Sequence, residues 1–300
     1  MNAEQLRQRL ASQPPPALVH VLPEEVFAAK RIPQSCNACV YEMSFLETMA
    51  SLAPDKASPV IVYGAGEGSH DAEVAKEKLL AAGYANVEVF ADGLSGWEHA
   101  RLPCEGEGLL PAEPRVSGTF EVDTKESVAR WTGRNLFNHH NGTVKLNSGR
   151  IVIKDSALVS AQFTIDMRSI ACEDLTDSTW NAMLIRHLQD ADFFDVGNHP
   201  QAIFIAKRAE RLDARTEGTP NFVLHGQFTL RGITRPLSFP VVIAAADGQR
   251  ITGQAQFELD RTQFGSIYGS GRFFRFLGKH VVNDHIHLHV KLHADRISAV

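Results

Sequence analysis

The chain has 300 residues, 44% of them hydrophobic and 22% charged, a globular composition that excludes a disordered polymer and suits two domains. Lys and Arg number 30 against 35 Asp and Glu, and the net charge of -5 gives no electrostatic reason to expect nucleic acid or an anionic membrane surface as a partner. Four Cys, at 36, 39, 104 and 172, are too few and too scattered for a disulfide framework.

No apolar run approaches the roughly 20 residues needed to span a bilayer. The opening MNAEQLRQRL lacks the apolar segment of a signal peptide, so the expected compartment is the cytoplasm, with thiols reduced. Short β-branched runs over 17–22 (ALVHVL) and 59–64 (PVIVYG) predict buried parallel strands. Residues 71–84 read as a helix whose faces are set by Val74, Ala75, Lys78, Leu79 and Ala82, with Gly83 just past its end. Residues 87–90 read as another strand. Strand, helix, strand in that order predicts a small α/β domain with a parallel sheet.

Residues 103–118 hold three Pro and three Gly and show no periodicity. They mark a joint, and the expected division is a domain over 1–108, a linker over 109–117 and a second domain over 118–300. Alternation rules the second half. Phe163, Ile165 and Met167 share one face against Gln162, Thr164, Asp166 and Arg168; Leu224, Phe228 and Leu230 oppose His225, Gln227 and Thr229. Phe257 with Leu259, and Ile286, Leu288, Val290 and Leu292, continue the pattern. Repeated half-polar strands predict an antiparallel sandwich or barrel, interrupted by one helix over 177–189.

Several polar residues have structural readings. Asp192 and Asp195 suit capping and turning after that helix. Arg231-Gly232 with Arg235-Pro236 suits a hairpin turn, and Asp260 with Arg261 an ion pair at a strand end. The aromatic-rich stretch 268–276 (YGSGRFFRF) suits a flap at a barrel mouth. His285, His287, His289 and His293 alternate along one strand, where residues two apart lie about 6.5–7 Å from each other, within reach of one zinc. The apolar residues between them claim the inward face, so these histidines read as a solvated outer face without a metal. His139, His140 and His187 are weaker still as ligands.

Three blocks of the first half, LVHVLPEEVFAAKRIPQSCNA, VIVYG with its helix, and GYANVEVFADGLSGWEHARLP with a turn at Gly93 to Trp97, resemble a single rhodanese domain over 5–105. Rhodaneses transfer sulfane sulfur on a Cys at the end of the central strand, where backbone N–H groups and a helix start stabilise the thiolate and persulfide. Here Gly64 holds that position, Ser69 stands where some relatives carry a second Cys, and His20 and Leu22 replace the Asp and Arg of the early strand. The resemblance therefore implies a degenerate domain without catalysis. Loop 64–70 keeps the glycines of an anion-binding nest, which Glu67 would weaken. Cys36 and Cys39 have Cys-x-x-Cys spacing without a redox or zinc context and read as small buried hydrophobes; Cys104 reads as a surface thiol.

The second half carries FEVDTKESVARWTGRN, HNGTVKLNSGRIVI, FTIDMRSI, HLQDADFFDVGNHPQAIF, GQFTLRGITRPLSFPV and LDRTQFGSIYGSGRFF before NDHIHL. In that order these blocks resemble the YceI-like family of polyisoprenoid-binding, lipocalin-like proteins over 118–297. The resemblance implies an extended antiparallel barrel with a helix beside it, holding a long isoprenoid, quinone-like or fatty chain and requiring no other cofactor. The inward, ligand-lining candidates are Phe163, Ile165, Met167, Phe204, Phe228, Leu230, Leu237, Phe239, Phe257, Leu288 and Val290, with nothing ionised among them. Burial at about 0.8 kcal/mol per CH₂ makes a few isoprene units sufficient for micromolar affinity without polar contacts. Three functions stay open at this point. They are a soluble lipid carrier or sensor with an inactive rhodanese-like domain, a sulfurtransferase using Cys36 or Cys39, and an interaction protein with a filled barrel. A homodimer is also left open.

Overall fold

The computed structural model describes residues 1–66, 68–108, 116–212, 216, 218–245 and 248–298. Most of the expected linker, at 109–115, and Glu67 of the expected nest lie outside the described residues. The chain divides into two compact units, Met1–Ala112 and Glu113–Val300. No helix among the described residues is long and apolar enough to cross a membrane.

The first unit runs α1 (Ala3–Leu10), β1 (Ala17–His20), α2 (Glu24–Ala29), β2 (Cys36–Asn37), α3 (Phe45–Leu52), β3 (Val60–Tyr63), α4 (Asp71–Ala81), β4 (Val87–Val89) and α5 (Gly93–His99). Its four strands form a parallel sheet in the order β2-β1-β3-β4, with Val19 opposite Val62 and Val60 opposite Val87. Both faces are covered, which is why the strands read as continuous apolar runs. Val19, Val60 and Val62 pack with Phe45, Met49, Ala75 and Leu79, while Leu18, Ile61 and Tyr63 pack with Leu6, Leu94 and Trp97. Two sequence expectations change. Val74 is exposed, while Ala75 and Leu79, named with it in the sequence, are buried together with Ala72. The expected turn at Gly93 opens a helix, closed against the chain by the Trp97 indole donating to the Pro103 carbonyl.

The second unit runs β5 (Gly118–Val122), β6 (Val128–Arg134), β7 (His139–Lys154), β8 (Ala157–Cys172), α6 (Ser178–Gln189), β9 (Gln201–Arg211), β10 (Phe222–Leu230), β11 (Ile233–Ala245), β12 (Arg250–Asp260) and β13 (His285–Ser298). Neighbouring strands are antiparallel, and the β12–β13 pairing closes the sheet. β5 and β6 each pair with both β7 and β13, so two short strands share one of eight staves. Full closure leaves no edge to template aggregation.

The β10–β11 turn is Arg231-Gly232, with both residues left-handed at φ 51° and 72°, whereas Arg235-Pro236, expected to share the turn, lies within β11 opposite Phe228 and Gln227. A Cβ on Gly232 would also meet the His199 ring at 2.7 Å. The cap on α6 comes from Asp177, whose carboxylate accepts from Thr179 and Trp180, not from Asp192 or Asp195. Asp195 turns the chain at φ 49° and accepts from Asn198.

Candidate functional site

Alternation along the closed strands puts one apolar side chain per two residues inside the barrel. There the structure holds a cavity with about 200 Å³ of free space and an almost wholly apolar lining. All eleven inward candidates from the sequence lie on its wall. The volume exceeds the roughly 150 Å³ of a dry apolar cavity that admits benzene, and falls short of the roughly 300 Å³ at which drug-sized pockets begin. The remainder of the bore is taken by rings. Phe163 and Phe204 lie 6.5 Å apart between centroids, Phe204 and Phe239 5.2 Å, and Phe239 and Phe257 4.2 Å. The interior is thus part hollow and part filled.

One expectation is overturned at the cavity wall. Arg261 lines it and is fully buried, so an ionised group does face inward. It does not pair with Asp260 as its neighbour in sequence suggests. Its Nε donates to the Asn283 carbonyl at 3.0 Å, Nη1 to Ser266 at 2.6 Å, and Nη2 to Tyr268 at 2.7 Å and Val282 at 3.1 Å. The Phe193 ring lies 5.0 Å beneath the guanidinium, and an Asp284 oxygen stands 3.9 Å away. Burial pushes the Arg261 pKa down, opposed by the charges of Asp284 and Asp260. Four carbonyls offset the desolvation of a charge that would otherwise be prohibitive. Asp260 instead accepts from Thr262 and pairs with Arg272. Arg261 is therefore a bolt that ties residues 266–283 over this end of the barrel.

Trp131 is the polar handle that sequence reasoning missed. It lines the cavity, and its indole Nε1–H is buried without a hydrogen-bond partner. Such a donor is costly unless something accepts from it.

The β13 histidines sit on the outer side, where His287 faces Glu258 at 3.4 Å. A tighter grouping lies elsewhere. The ligand atoms of His140, Cys172 and Asp174 fall within 4.8 Å of one another. Asp174 accepts from the Asn141 N–H at 2.7 Å, His140 Nδ1 at 2.9 Å and the Cys172 thiol at 3.3 Å. Burial opposes ionisation of Asp174, but these donors outweigh it and hold its pKa at about 2. Three donors from the protein itself account for this carboxylate, which joins the ends of β7 and β8.

In the first unit, the loop after β3 closes on itself. The Asp71 carboxylate is buried and accepts from the Ala65 N–H at 3.2 Å, the Ser69 hydroxyl at 2.7 Å and the Ala72 N–H at 2.7 Å. A Cβ on Gly64 would meet that carboxylate at 2.1 Å. The expected anion nest is thus occupied by an anion of the same chain. Cys39 is buried as expected, but Cys36 is exposed, on the outermost strand of the sheet, and corrects the reading of both thiols as buried. Cys104 is exposed. His20 ends β1 fully buried, with neither ring nitrogen bonded and the Phe27 and Tyr63 rings 5.6 and 4.9 Å away.

Residues 120–294, more than half of the chain, match the YceI-like domain. The chain belongs to the YceI-like family. Residues 2–100 match the rhodanese-like domain, so this YceI-like chain carries a second recognisable module. It is similar to a UPF0312 protein of Pseudomonas putida strain W619, 24% identical over 176 aligned positions, with 55% of this chain and 85% of that protein covered. Among solved structures it is similar to Burkholderia cenocepacia BcnA at 22% identity and TM-score 0.45, covering 57% of this chain and 98% of that one. It is also similar to a polyisoprenoid binding domain from Saccharophagus degradans implicated in plant cell wall breakdown, at 13% identity and TM-score 0.45, covering 60% and 99%.

Proposed function

We propose that this YceI-like chain is a carrier or sensor that holds a long-chain isoprenoid, quinone-like or related lipid in its barrel. The observation that carries the reading is the apolar cavity bounded by the residues that alternation selects, from Phe163 to Val290. The same ligand class is named for the polyisoprenoid binding domain from Saccharophagus degradans. A segment of the chain ligand occupies the free volume, and rotation of Phe239 and Phe257 out of their stack lengthens it. Trp131 Nε1–H is the donor for an oxygen at the ligand's polar end. Native mass spectrometry of the purified chain, followed by solvent extraction, tests this. A lipid adduct with a polyprenyl or acyl fragmentation pattern is expected; protein that neither carries nor takes up such a lipid refutes it.

The rhodanese-like domain is inactive in this reading, and its support is the Asp71 carboxylate packed against Gly64. The domains over 1–108 and 118–300 fold independently. A fragment beginning at Ser117 is expected to melt cooperatively with a strand-dominated circular dichroism spectrum, and a molten fragment would refute that division.

A further inference from the structure

We propose that the end of the barrel formed by residues 268–280 and the β6–β7 hairpin tip docks on an anionic lipid surface. This rests on the lipid-binding reading above, for which it supplies the route between membrane and cavity. The hairpin tip exposes Leu136 and Phe137, the latter 73% accessible. The second loop exposes Phe273 and Phe274, and Phe276 stands wholly in solvent. The backbone places these two loops at one end. Asn135 bridges Val282, and the Val282 N–H donates to the Gly269 carbonyl at 2.8 Å. Val282 and Asn283 also line the cavity, so the exposed loop is continuous with the cavity wall. Phe276 adopts φ 62°, a left-handed conformation unfavourable for any side chain but glycine. Large apolar groups gathered in water this way mark an interaction surface.

Charge selects the partner. Between residues 261 and 283 the sequence has no Asp or Glu. Arg261 is buried and Arg272 is engaged by Asp260 and Asp284. Arg275 and Lys279 have no carboxylate within ion-pair distance among the described residues. Asp190 and Asp192 belong to the loop after α6, and Asp174, beside the hairpin, is engaged by His140 and the Asn141 N–H, so Arg275 and Lys279 carry the charge of the cationic loop. Phe rings beside free Arg and Lys suit the headgroup boundary, where the rings enter the acyl region and the cations meet phosphate. A protein interface core would instead be depleted of Lys. The overall charge of -5 hides this local excess.

Flotation of the full chain with vesicles tests the inference. The wild type is expected to float with mixed phosphatidylcholine–phosphatidylglycerol vesicles, less at high salt, and weakly with phosphatidylcholine alone. A Phe273→Ser, Phe274→Ser, Phe276→Ser variant and an Arg275→Gln, Lys279→Gln variant should each lose roughly tenfold in partitioning, with unchanged circular dichroism. Failure of the wild type to float on the mixed vesicles, or wild-type flotation by both variants, overturns the proposal. So does a wild type that self-associates through these Phe residues and ignores vesicles. Lipid extracted from the same preparations separates the two readings. A lipid-loaded barrel that does not float refutes docking alone, and a chain that floats but never carries lipid refutes the carrier reading alone.

Discussion

A Cβ added to Gly64 would meet the Asp71 Oδ1 atom at 2.1 Å, so the space where resemblance to rhodaneses puts the nucleophile is filled by a carboxylate. Asp71 also takes the Ala65 N–H and the Ser69 hydroxyl that an incoming anion would need. Gly64→Cys alone is therefore expected to remain inactive in thiosulfate:cyanide transfer and to destabilise its domain by about 1–3 kcal/mol, through overpacking against a bonded carboxylate. Adding Asp71→Ser removes the obstruction and frees the loop N–H groups. In that double variant, thiosulfate is expected to leave one sulfur on the introduced thiol, visible as a mass increase, with sulfite released. Wild-type turnover that vanishes in Cys36→Ser or Cys39→Ser would refute the inactive reading.

His20 supplies a pH dependence. Burial, only partly opposed by the Asp71 charge, pushes its pKa down to about 4 from an ordinary 6.5. Above 6.5 the group is neutral in both folded and unfolded chains and its stability contribution is complete. As pH falls below 6.5 the unfolded chain takes up the proton first, and stability is lost until the folded state also protonates near 4. The span corresponds to about 3 kcal/mol. Denaturant titrations at several pH values, followed through Trp97, should show this loss in wild type and a flatter profile in His20→Leu. A His20 ring signal titrating near 6.5 would contradict it.

The barrel staves were legible because each declares its buried face every second residue, and the parallel strands because burial on both faces makes them continuous apolar runs. Eight of the eleven lining residues follow from the periodicity of the staves, and Phe204, Leu237 and Phe239 from the blocks that resemble the YceI-like family. Arg261 and Asp71 were not legible. Arg261 reads as a charged strand end beside Asp260, and its actual partners are backbone carbonyls of Ser266, Tyr268, Val282 and Asn283, which carry no side-chain signal. Asp71 reads as an acidic residue in the first turn of a helix, a common and favourable placement. Its burial depends on Gly64 lacking a side chain seven positions earlier. Cavity volume is likewise a property of how rings stack across strands far apart in sequence, as Phe163, Phe204, Phe239 and Phe257 do.

Arg261→Met is expected to cost about 3–5 kcal/mol, because it strips four buried carbonyls of their donor and leaves Asp284 with Arg272 as its cationic partner. The loss should be local first. Hydrogen exchange over 265–284 is expected to rise before β7 to β12 lose protection, and equal protection in that loop would show that Arg261 does not hold it.

The state of the barrel interior is tested most cleanly by filling it. Ala255 lies on β12, is buried, and lines the cavity beside Phe257. Ala255→Phe introduces a ring into the free volume of about 200 Å³. If that volume is hollow and receives lipid, the ring occupies it without strain, and stability holds or rises by about 0.5–2 kcal/mol, as in other cavity-filling substitutions. Lipid is then displaced, and the native mass spectrum should show bare protein. If the interior is effectively filled, the same ring forces neighbouring side chains off their rotamers and costs about 1–3 kcal/mol. Charge plays no part in either outcome, so Arg261 does not confuse the result. A stable variant stripped of lipid supports the carrier reading, whereas a destabilised variant whose wild-type parent takes up no lipid would sink it.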